Sequence, residues 1–266
     1  MSILTTALTA TPSPENDGPG SAGRVAPADS DFGPLRVRYA AVREVIEFPV
    51  ALALLVVAAP VIFVAGVLIK LTSRGPVLYS QTRLGRYGRP YTIYKLRTMG
   101  HECEKQSGPR WSTYGDPRIT PVGRFLRCTH LDELPQLWNI LRGEMSLIGP
   151  RPERPEFVSA LEKSIPRYAE RMLVKPGVTG LAQVQLPADT DLASVRRKLA
   201  YDLYYIREMS FGLDLRVLVG TGLKVFGIPF RVLGRLVRMP SRQAVEEAYQ
   251  FTSAGLLSAA PRAQTA

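Results

Sequence analysis

The stretch FPVALALLVVAAPVIFVAGVLI, residues 48–69, decides the fold, because its 22 residues carry no charge. As a helix that rises ~1.5 Å per residue, it matches a hydrocarbon layer of about 30 Å. Pro60 stands near its midpoint, where a proline removes one helical hydrogen bond and clashes with the preceding turn. We therefore predict a re-entrant membrane helix, a helix–break–helix hairpin that enters one leaflet and returns.

Both flanks of this apolar run are basic. Each flank holds three basic residues, namely Arg36, Arg38 and Arg43 before the run and Lys70, Arg74 and Arg83 after it. Because basic residues stay preferentially on the cytoplasmic side of a membrane, we expect both ends of the run on that side. A kinked helix that spans the membrane and a buried core helix of a soluble protein are the alternatives.

The charge of the chain separates its ends from its centre. The formal net charge is +11, yet residues 1–34 carry a net charge of −3 together with five prolines and four glycines. This composition is typical of a flexible tail, and residues 251–266 form a second predicted tail. Between the tails, we predict a membrane-inserted segment with its flanks at 35–74 and a folded domain at 75–250.

The most basic part of the chain is residues 70–128, which hold twelve basic and three acidic residues. A local net charge of +9 attracts phosphate groups on nucleotides, lipids or nucleic acids, although an ordinary solvated basic surface gives the same count. The hydrophobic content of 45% excludes wholesale disorder. Two cysteines are too few for a disulfide-stabilised secreted domain.

Beyond the apolar run, the pattern predicts a small β-hairpin and then helices. Residues 76–81 and 91–95 are β-prone, and glycines and Pro90 interrupt the link between them. Near the C-terminus five basic residues fall on one face of an ideal helix: Arg216, Lys224, Arg231, Arg235 and Arg238. This pattern predicts amphipathic helices at a membrane surface, kinked at Gly227 and Pro229. The expected fold class is α+β, mostly helical and monotopic.

The chemistry is predicted to lie in residues 123–157. Leucines and Trp138 recur at helical spacing within 134–141, and Pro135 is tolerated only in the first turn of a helix. Asp132 and Glu133 therefore stand at a helix N-terminus, where an ionised carboxylate is favoured. Such a carboxylate serves as a nucleophile or a metal ligand, although acidic residues also commonly begin helices for structural reasons alone.

Arginines flank this carboxylate pair on both sides in the sequence. Arg124 and Arg127 precede it, and the stiff segment Pro150-Arg151-Pro152 follows it. A guanidinium group held by a rigid backbone suits bidentate contacts to phosphate. The setting favours a site for phosphorylated ligands.

Several long segments resemble the bacterial sugar transferases, a family of monotopic phosphoglycosyl transferases. The matching segments are the apolar run with its proline, YKLRTM (94–99), LDELPQL (131–137), GEMSLIGPRP (143–152), VKPGVTGLAQV (174–184) and YDLYYI (201–206). Together they cover about residues 43–220. The resemblance implies an enzyme that moves a hexose-1-phosphate from a nucleotide-diphospho-sugar, expected to be a UDP-hexose, to undecaprenyl phosphate.

The resemblance also implies roles for individual residues. Asp132 is the expected nucleophile that forms a covalent phosphosugar intermediate, and Glu133, with Asp132, is expected to bind Mg²⁺. The segment 150–152 is expected to bind the nucleotide donor. Four further residues are candidates for phosphate contacts, namely Lys95, Arg97, Arg124 and Arg127.

The expected partners are the nucleotide-sugar donor, undecaprenyl phosphate, membrane lipids and a second copy of the chain, but no nucleic acid. The expected location is the bacterial inner membrane, with residues 75–250 as a catalytic domain on its cytoplasmic face. Two alternatives stay open. One is a membrane-attached, Mg²⁺-dependent phosphohydrolase of nucleotide sugars, and the other is a basic membrane adaptor without catalysis.

Overall fold

The computed structural model describes residues 34–101, 103, 115–187, 189, 191–228, 232, 234 and 236–249. Apart from Pro34, both predicted tails lie outside these residues. The helices are α1 (Pro34–Thr72), α2 (Pro121–Cys128), α3 (Gln136–Leu141), α4 (Pro155–Ser164), α5 (Leu181–Gln185), α6 (Leu192–Glu208), α7 (Phe211–Val225) and α8 (242–249). The strands are β1 (Leu78–Leu84), β2 (Pro90–Leu96), β3 (Ser146–Ile148) and β4 (Gly177–Thr179). A mostly helical chain with a small sheet confirms the predicted α+β class.

Helix α1 contains the whole apolar run and continues through Pro60. The predicted division into two helices at this proline is wrong. Ala51, Ala58 and Ala65 form a buried stripe at intervals of seven residues, and the stripe packs on β2, α2 and α3 on both sides of Pro60. The small alanines allow close approach, so tertiary packing holds the helix together where one backbone hydrogen bond is lost.

The remaining surface of α1 is apolar and uncovered. Fifteen large hydrophobic side chains between Val42 and Leu71 are exposed. Within the described ranges, α1 is the one helix long and apolar enough to cross a membrane, and only 17% of its most apolar window is buried. A core helix of a soluble protein would be mostly buried, so the exposed surface indicates a membrane-associated chain.

Strands β1 and β2 form the predicted hairpin, with Leu78 opposite Leu96 and Leu84 opposite Pro90. The strands are longer than predicted, and Tyr87 closes the turn with a φ of 58°. Asn139 of α3 fixes the helix to β2, because its side chain accepts from the Tyr94 amide at 3.2 Å and donates to the Thr92 carbonyl at 2.7 Å. This pairing sets which residues of β2 face the loop before α3.

The second half of the chain packs around α6, whose Leu199, Tyr201 and Tyr205 are nearly inaccessible. Helices α4, α5 and α7 contribute to the same core. Helix α7 ends at Val225, and Gly227 adopts a φ of 77° just beyond it, in agreement with the predicted break at Gly227; Pro229, Arg231 and Arg235 lie outside the described residues. One face of α7 does not pack on this core and is exposed, at Phe211, Leu215, Leu218, Val219 and, just after the helix, Phe226.

Candidate active site

The carboxylate pair lies in a short 3₁₀ turn, Leu131–Glu133, between α2 and α3. The preceding residue, His130, is exposed and adopts a left-handed φ of 55°, which reverses the chain and turns the pair toward β2. The predicted position ahead of a helix is confirmed. However, α3 has only six residues, so its dipole contributes little, and side-chain charges set the electrostatics instead.

Glu133 is the acceptor at the centre of the site. Its Oε1 atom lies 2.8 Å from Lys95 Nζ and 2.8 Å from Arg151 Nη2. Burial opposes its ionisation, but Arg151 and then Lys95 more than offset the cost of burial and hold the pKa of Glu133 well below its usual range. Glu133 is therefore fully ionised at physiological pH and joins β2 to the Pro-Arg-Pro segment.

Asp132 is placed differently from its neighbour. Its residue surface is only 7% exposed, and its carboxylate makes no hydrogen bond or ion pair with any part of the chain that the structure describes. Burial, followed by the charge of Glu133, raises the pKa of Asp132, while Lys95, Arg127 and Arg151 act in the opposite direction. Asp132 is thus an unbonded carboxylate held among cations, which is the state that a nucleophile requires.

The predicted phosphate contacts divide into two groups. Lys95 and Arg127 face the carboxylate pair, since both act electrostatically on Asp132, and Arg127 Nε also donates to Thr98 Oγ1 at 2.8 Å. Arg124 lies exposed on α2, away from these contacts. Arg97 is buried at the end of α1, where its guanidinium donates to the carbonyls of Ser73 and Arg74 at 2.9 and 2.6 Å. The structure therefore does not bring Arg97 to the carboxylate pair, and a substrate contact by Arg97 stays a prediction.

Hydrogen bonds to all three of its carbonyls fix the backbone of the Pro-Arg-Pro segment. The Pro150 carbonyl accepts from the Gly177 amide at 3.0 Å. The Arg151 carbonyl accepts from Arg171 Nη2 at 2.8 Å, and the Pro152 carbonyl accepts from Arg83 Nη1 at 3.1 Å. With its backbone fixed in this way, the Arg151 guanidinium is held against Glu133.

A parallel pair of short strands supports the same segment. Ser146 of β3 pairs with Gly177 of β4, and Ile148 pairs with Thr179. Beyond β3 the two backbones almost touch, because a Cβ atom on Gly177 would lie 2.0 Å from the Gly149 amide nitrogen. The two glycines are therefore required by close backbone approach, and they explain two of the glycines in the 143–152 and 174–184 motifs.

Arg171 is the main residue that the sequence analysis missed. It is buried, pairs with Asp202 at 2.8 Å, and donates to the Tyr168 hydroxyl at 2.7 Å as well as to the Arg151 carbonyl. The sequence analysis named Arg83 only among the basic residues after the apolar run, yet Arg83 lies in β1 and pairs with Glu153 at 3.5 Å. No local pattern distinguishes either arginine, since each partner lies far away in the sequence.

The residues at the site fit a magnesium ion. No group of three or more His, Cys, Asp or Glu side chains forms a metal cage within the described residues. Mg²⁺ does not need such a cage, because it typically binds one or two carboxylates and fills its other positions with water and phosphate oxygens. Among the described residues, none bonds the Asp132 carboxylate oxygens, and Glu133 Oε2 has a single long contact, 3.5 Å to Arg151.

The fold and site together define a class: a membrane-associated protein with a carboxylate pair set among lysine and arginine side chains. The chain belongs to the bacterial sugar transferase family, whose sequence model matches residues 38–227. The family prediction is confirmed.

Named relatives agree with this membership. The UDP-glucose:undecaprenyl-phosphate glucose-1-phosphate transferase of Caulobacter vibrioides is 43% identical over 194 residues, 71% of this chain and 72% of that protein. The UDP-N-acetylgalactosamine-undecaprenyl-phosphate N-acetylgalactosaminephosphotransferase of Aeromonas hydrophila is 40% identical over 69% of this chain, but over only 43% of its own length. The chain thus spans less than half of the longer relative, and the two relatives carry different sugars in their names.

Proposed function

We propose that the protein transfers a sugar-1-phosphate from a UDP-sugar to undecaprenyl phosphate through a covalent intermediate on Asp132. One observation carries this proposal: Asp132 makes no hydrogen bond within the described chain, while Lys95 and Arg151 neutralise Glu133 beside it. A site with two structural carboxylates would pair both. The names of the relatives supply the substrate class, and the unbonded Asp132 carboxylate supports its role as the nucleophile.

In the first step, an Asp132 oxygen attacks the phosphorus that carries the sugar. The bond from that phosphorus to the bridging oxygen breaks, UMP leaves, and a sugar phosphate remains on Asp132 as an acyl phosphate. In the second step, an oxygen of the lipid phosphate attacks the same phosphorus. The acyl phosphate bond breaks, Asp132 is regenerated as a carboxylate, and the product is a polyprenyl diphosphate sugar.

The cations of the site supply the electrostatic part of catalysis. Lys95, Arg127 and Arg151 surround the point of attack and neutralise charge that spreads over the phosphoryl oxygens. Glu133 and Asp132 would hold Mg²⁺, which when bound adds further positive charge at those oxygens. No general base is needed, because both nucleophiles are already anions. The exposed His130 then needs no proton-transfer role.

A substrate panel tests the proposed function. We expect the detergent-solubilised protein, given Mg²⁺, undecaprenyl phosphate and a set of UDP-sugars, to release UMP and form a lipid-linked sugar with at least one donor. EDTA should stop the reaction and added Mg²⁺ should restore it. Free sugar phosphate in place of a lipid product would favour the phosphohydrolase. Folded protein that releases no nucleotide from any UDP-sugar or other nucleotide-sugar donor would favour the adaptor.

The proposal includes monotopic insertion, with the site on the cytoplasmic face of the inner membrane. Both ends of α1 are attached to the same folded domain. Near its start, Arg43 bonds Tyr205 and Asp214, and at its end Ser73 accepts from Arg97. A helix that crossed the bilayer would carry these two ends to opposite sides. The exposed apolar face of α7 supports a second, shallow contact with lipid.

Cysteine labelling tests this topology. In a background with Cys103→Ser and Cys128→Ser, we expect single cysteines at Ala41 and Lys70 to react with an impermeant maleimide in inverted membrane vesicles but not in intact spheroplasts. The two positions flank the apolar run of α1. Reaction of one position in vesicles and the other in spheroplasts would establish a spanning helix. A homodimer stays a prediction.

A further inference from the structure

Lys224 is a basic side chain that the proposed mechanism does not use. It lies in the last turn of α7 and is itself exposed, on the side of the helix opposite the exposed apolar residues. Its Nζ atom donates to the Gln183 carbonyl at 2.5 Å. One turn earlier, Thr221 Oγ1 lies 2.7 Å from Thr179 Oγ1. These contacts fix the end of α7 against β4 and α5.

The same contacts bring Lys224 to the edge of the active site. The Thr179 carbonyl accepts a hydrogen bond from the Gly149 amide at 2.9 Å, and Gly149 is two residues from Arg151. Burial, and after it the positive charge of Arg151, lowers the pKa of the Lys224 amine. The two positive charges therefore repel each other.

Lys224 has no acidic counterpart to relieve this repulsion. Glu133 accepts from Arg151, whereas Lys224 forms no ion pair within the described chain and has only a backbone carbonyl as acceptor. A phosphate group between Lys224 and Arg151 would relieve the repulsion of the two cations. The arrangement is therefore suited to an anion on the α7 side of Arg151.

The position of α7 indicates which anion binds there. Its exposed residues Phe211, Leu215, Leu218 and Phe226 form an apolar surface suited to lipid. Lys224 lies exposed on the opposite side of the same helix, where a phosphate group at the membrane surface can reach it. Building on the proposed function, we propose that Lys224 binds the phosphate group of the polyprenyl acceptor and holds it beside Arg151 for attack on the Asp132 intermediate.

Kinetics of Lys224→Met against each substrate tests this assignment. Loss of one charge-assisted hydrogen bond should raise the KM for undecaprenyl phosphate roughly 10- to 100-fold, while the KM for the UDP-sugar stays at the wild-type value. Lys224→Arg keeps the charge and should recover most of the lipid affinity. Lys163→Met removes an exposed lysine on α4, far from these contacts, and should behave as wild type.

A binding measurement separates failure of this inference from failure of the proposed function. We expect a short-chain polyprenyl phosphate to raise the melting temperature of the wild type but not that of Lys224→Met. Neutral polyprenol and phosphatidylglycerol should not distinguish the melting temperature of the wild type from that of the variant. An equal shift with inorganic phosphate would mean that the site binds free phosphate. If the wild type turns over and Lys224→Met raises only the KM for the UDP-sugar, or neither KM, the inference is overturned. If the wild type does not turn over, the melting shift still decides it.

Discussion

Asp132→Asn is expected to lower UMP release by roughly 10³-fold or more, the size of loss seen when a covalent nucleophile is removed. The amide keeps the shape of the side chain but cannot attack phosphorus. The measurement is the initial rate of UMP release, together with the intact mass of protein incubated with UDP-sugar and no lipid. Wild type should gain the mass of one sugar phosphate, and the variant should gain nothing.

A matched carboxylate controls this experiment. Glu156 on α4 is exposed and lies outside the site, so Glu156→Gln should retain wild-type rate and adduct. A sugar-phosphate adduct that persists in Asp132→Asn, or one that maps to Glu133, would contradict the assignment of the nucleophile. Loss of the adduct in Glu133→Gln alone would not contradict this assignment, because Glu133 also positions Lys95 and Arg151.

The raised pKa of Asp132 adds two further expectations. The pKa of Asp132 is higher in the folded than in the unfolded chain. Protonated Asp132 therefore stabilises the fold, and this contribution is complete below the unfolded pKa of about 3.9. The contribution is lost as pH rises through the folded pKa. Asp132→Asn should therefore melt at a higher temperature than wild type near pH 7, and the difference should shrink in acid. For the same reason, the acidic limb of the wild-type rate profile should lie above the ordinary aspartate pKa.

Local sequence pattern was sufficient to predict the main elements of the fold. It did not predict that α1 continues without a break through Pro60. The apolar run located α1, and β-prone residues located the hairpin. Pro60 gave the wrong result because a proline penalty is local, whereas the packing that holds α1 together comes from Ile93, Leu126 and Leu137, far along the chain. Strands β3 and β4 have three residues each, too few for a periodic pattern to appear.

The candidate site was predictable where its residues lie next to each other in sequence. The pattern singled out Asp132, Glu133 and the Pro-Arg-Pro segment, and the structure brings Lys95 and Arg151 to Glu133. The place of Arg97 was not predictable, because an arginine that binds helix carbonyls looks the same in sequence as one that binds phosphate. The contacts of Arg171 with Arg151 and of Lys224 with Gln183 were not predictable either, because the partners lie 20 and 41 residues apart.

Asp202→Asn is expected to destabilise the protein by about 3–5 kcal/mol, a fall in melting temperature of roughly 10 °C. Asp202 is 2% exposed and pairs with the buried Arg171 at 2.8 Å. Without the carboxylate, the guanidinium charge stays buried and loses its ion-pair partner, and its acceptors are then neutral: the amide oxygen at position 202, the Tyr168 hydroxyl and the Arg151 carbonyl. Thermal melting of wild type and variant at the same pH and detergent measures the effect.

A double variant separates the two roles of this pair. Asp202→Leu with Arg171→Met replaces a buried ion pair by apolar groups of similar size, which is often neutral for stability, so the melting temperature should return toward wild type. The Arg151 carbonyl, however, still lacks its donor, and the Pro-Arg-Pro segment is less firmly held. The KM for the UDP-sugar should therefore stay raised in the double variant although the fold has recovered. Recovery of both the melting temperature and the KM would mean that Arg171 stabilises the core without positioning Arg151. The rigidity of the Pro-Arg-Pro segment would then come from Gly177 and Arg83 alone.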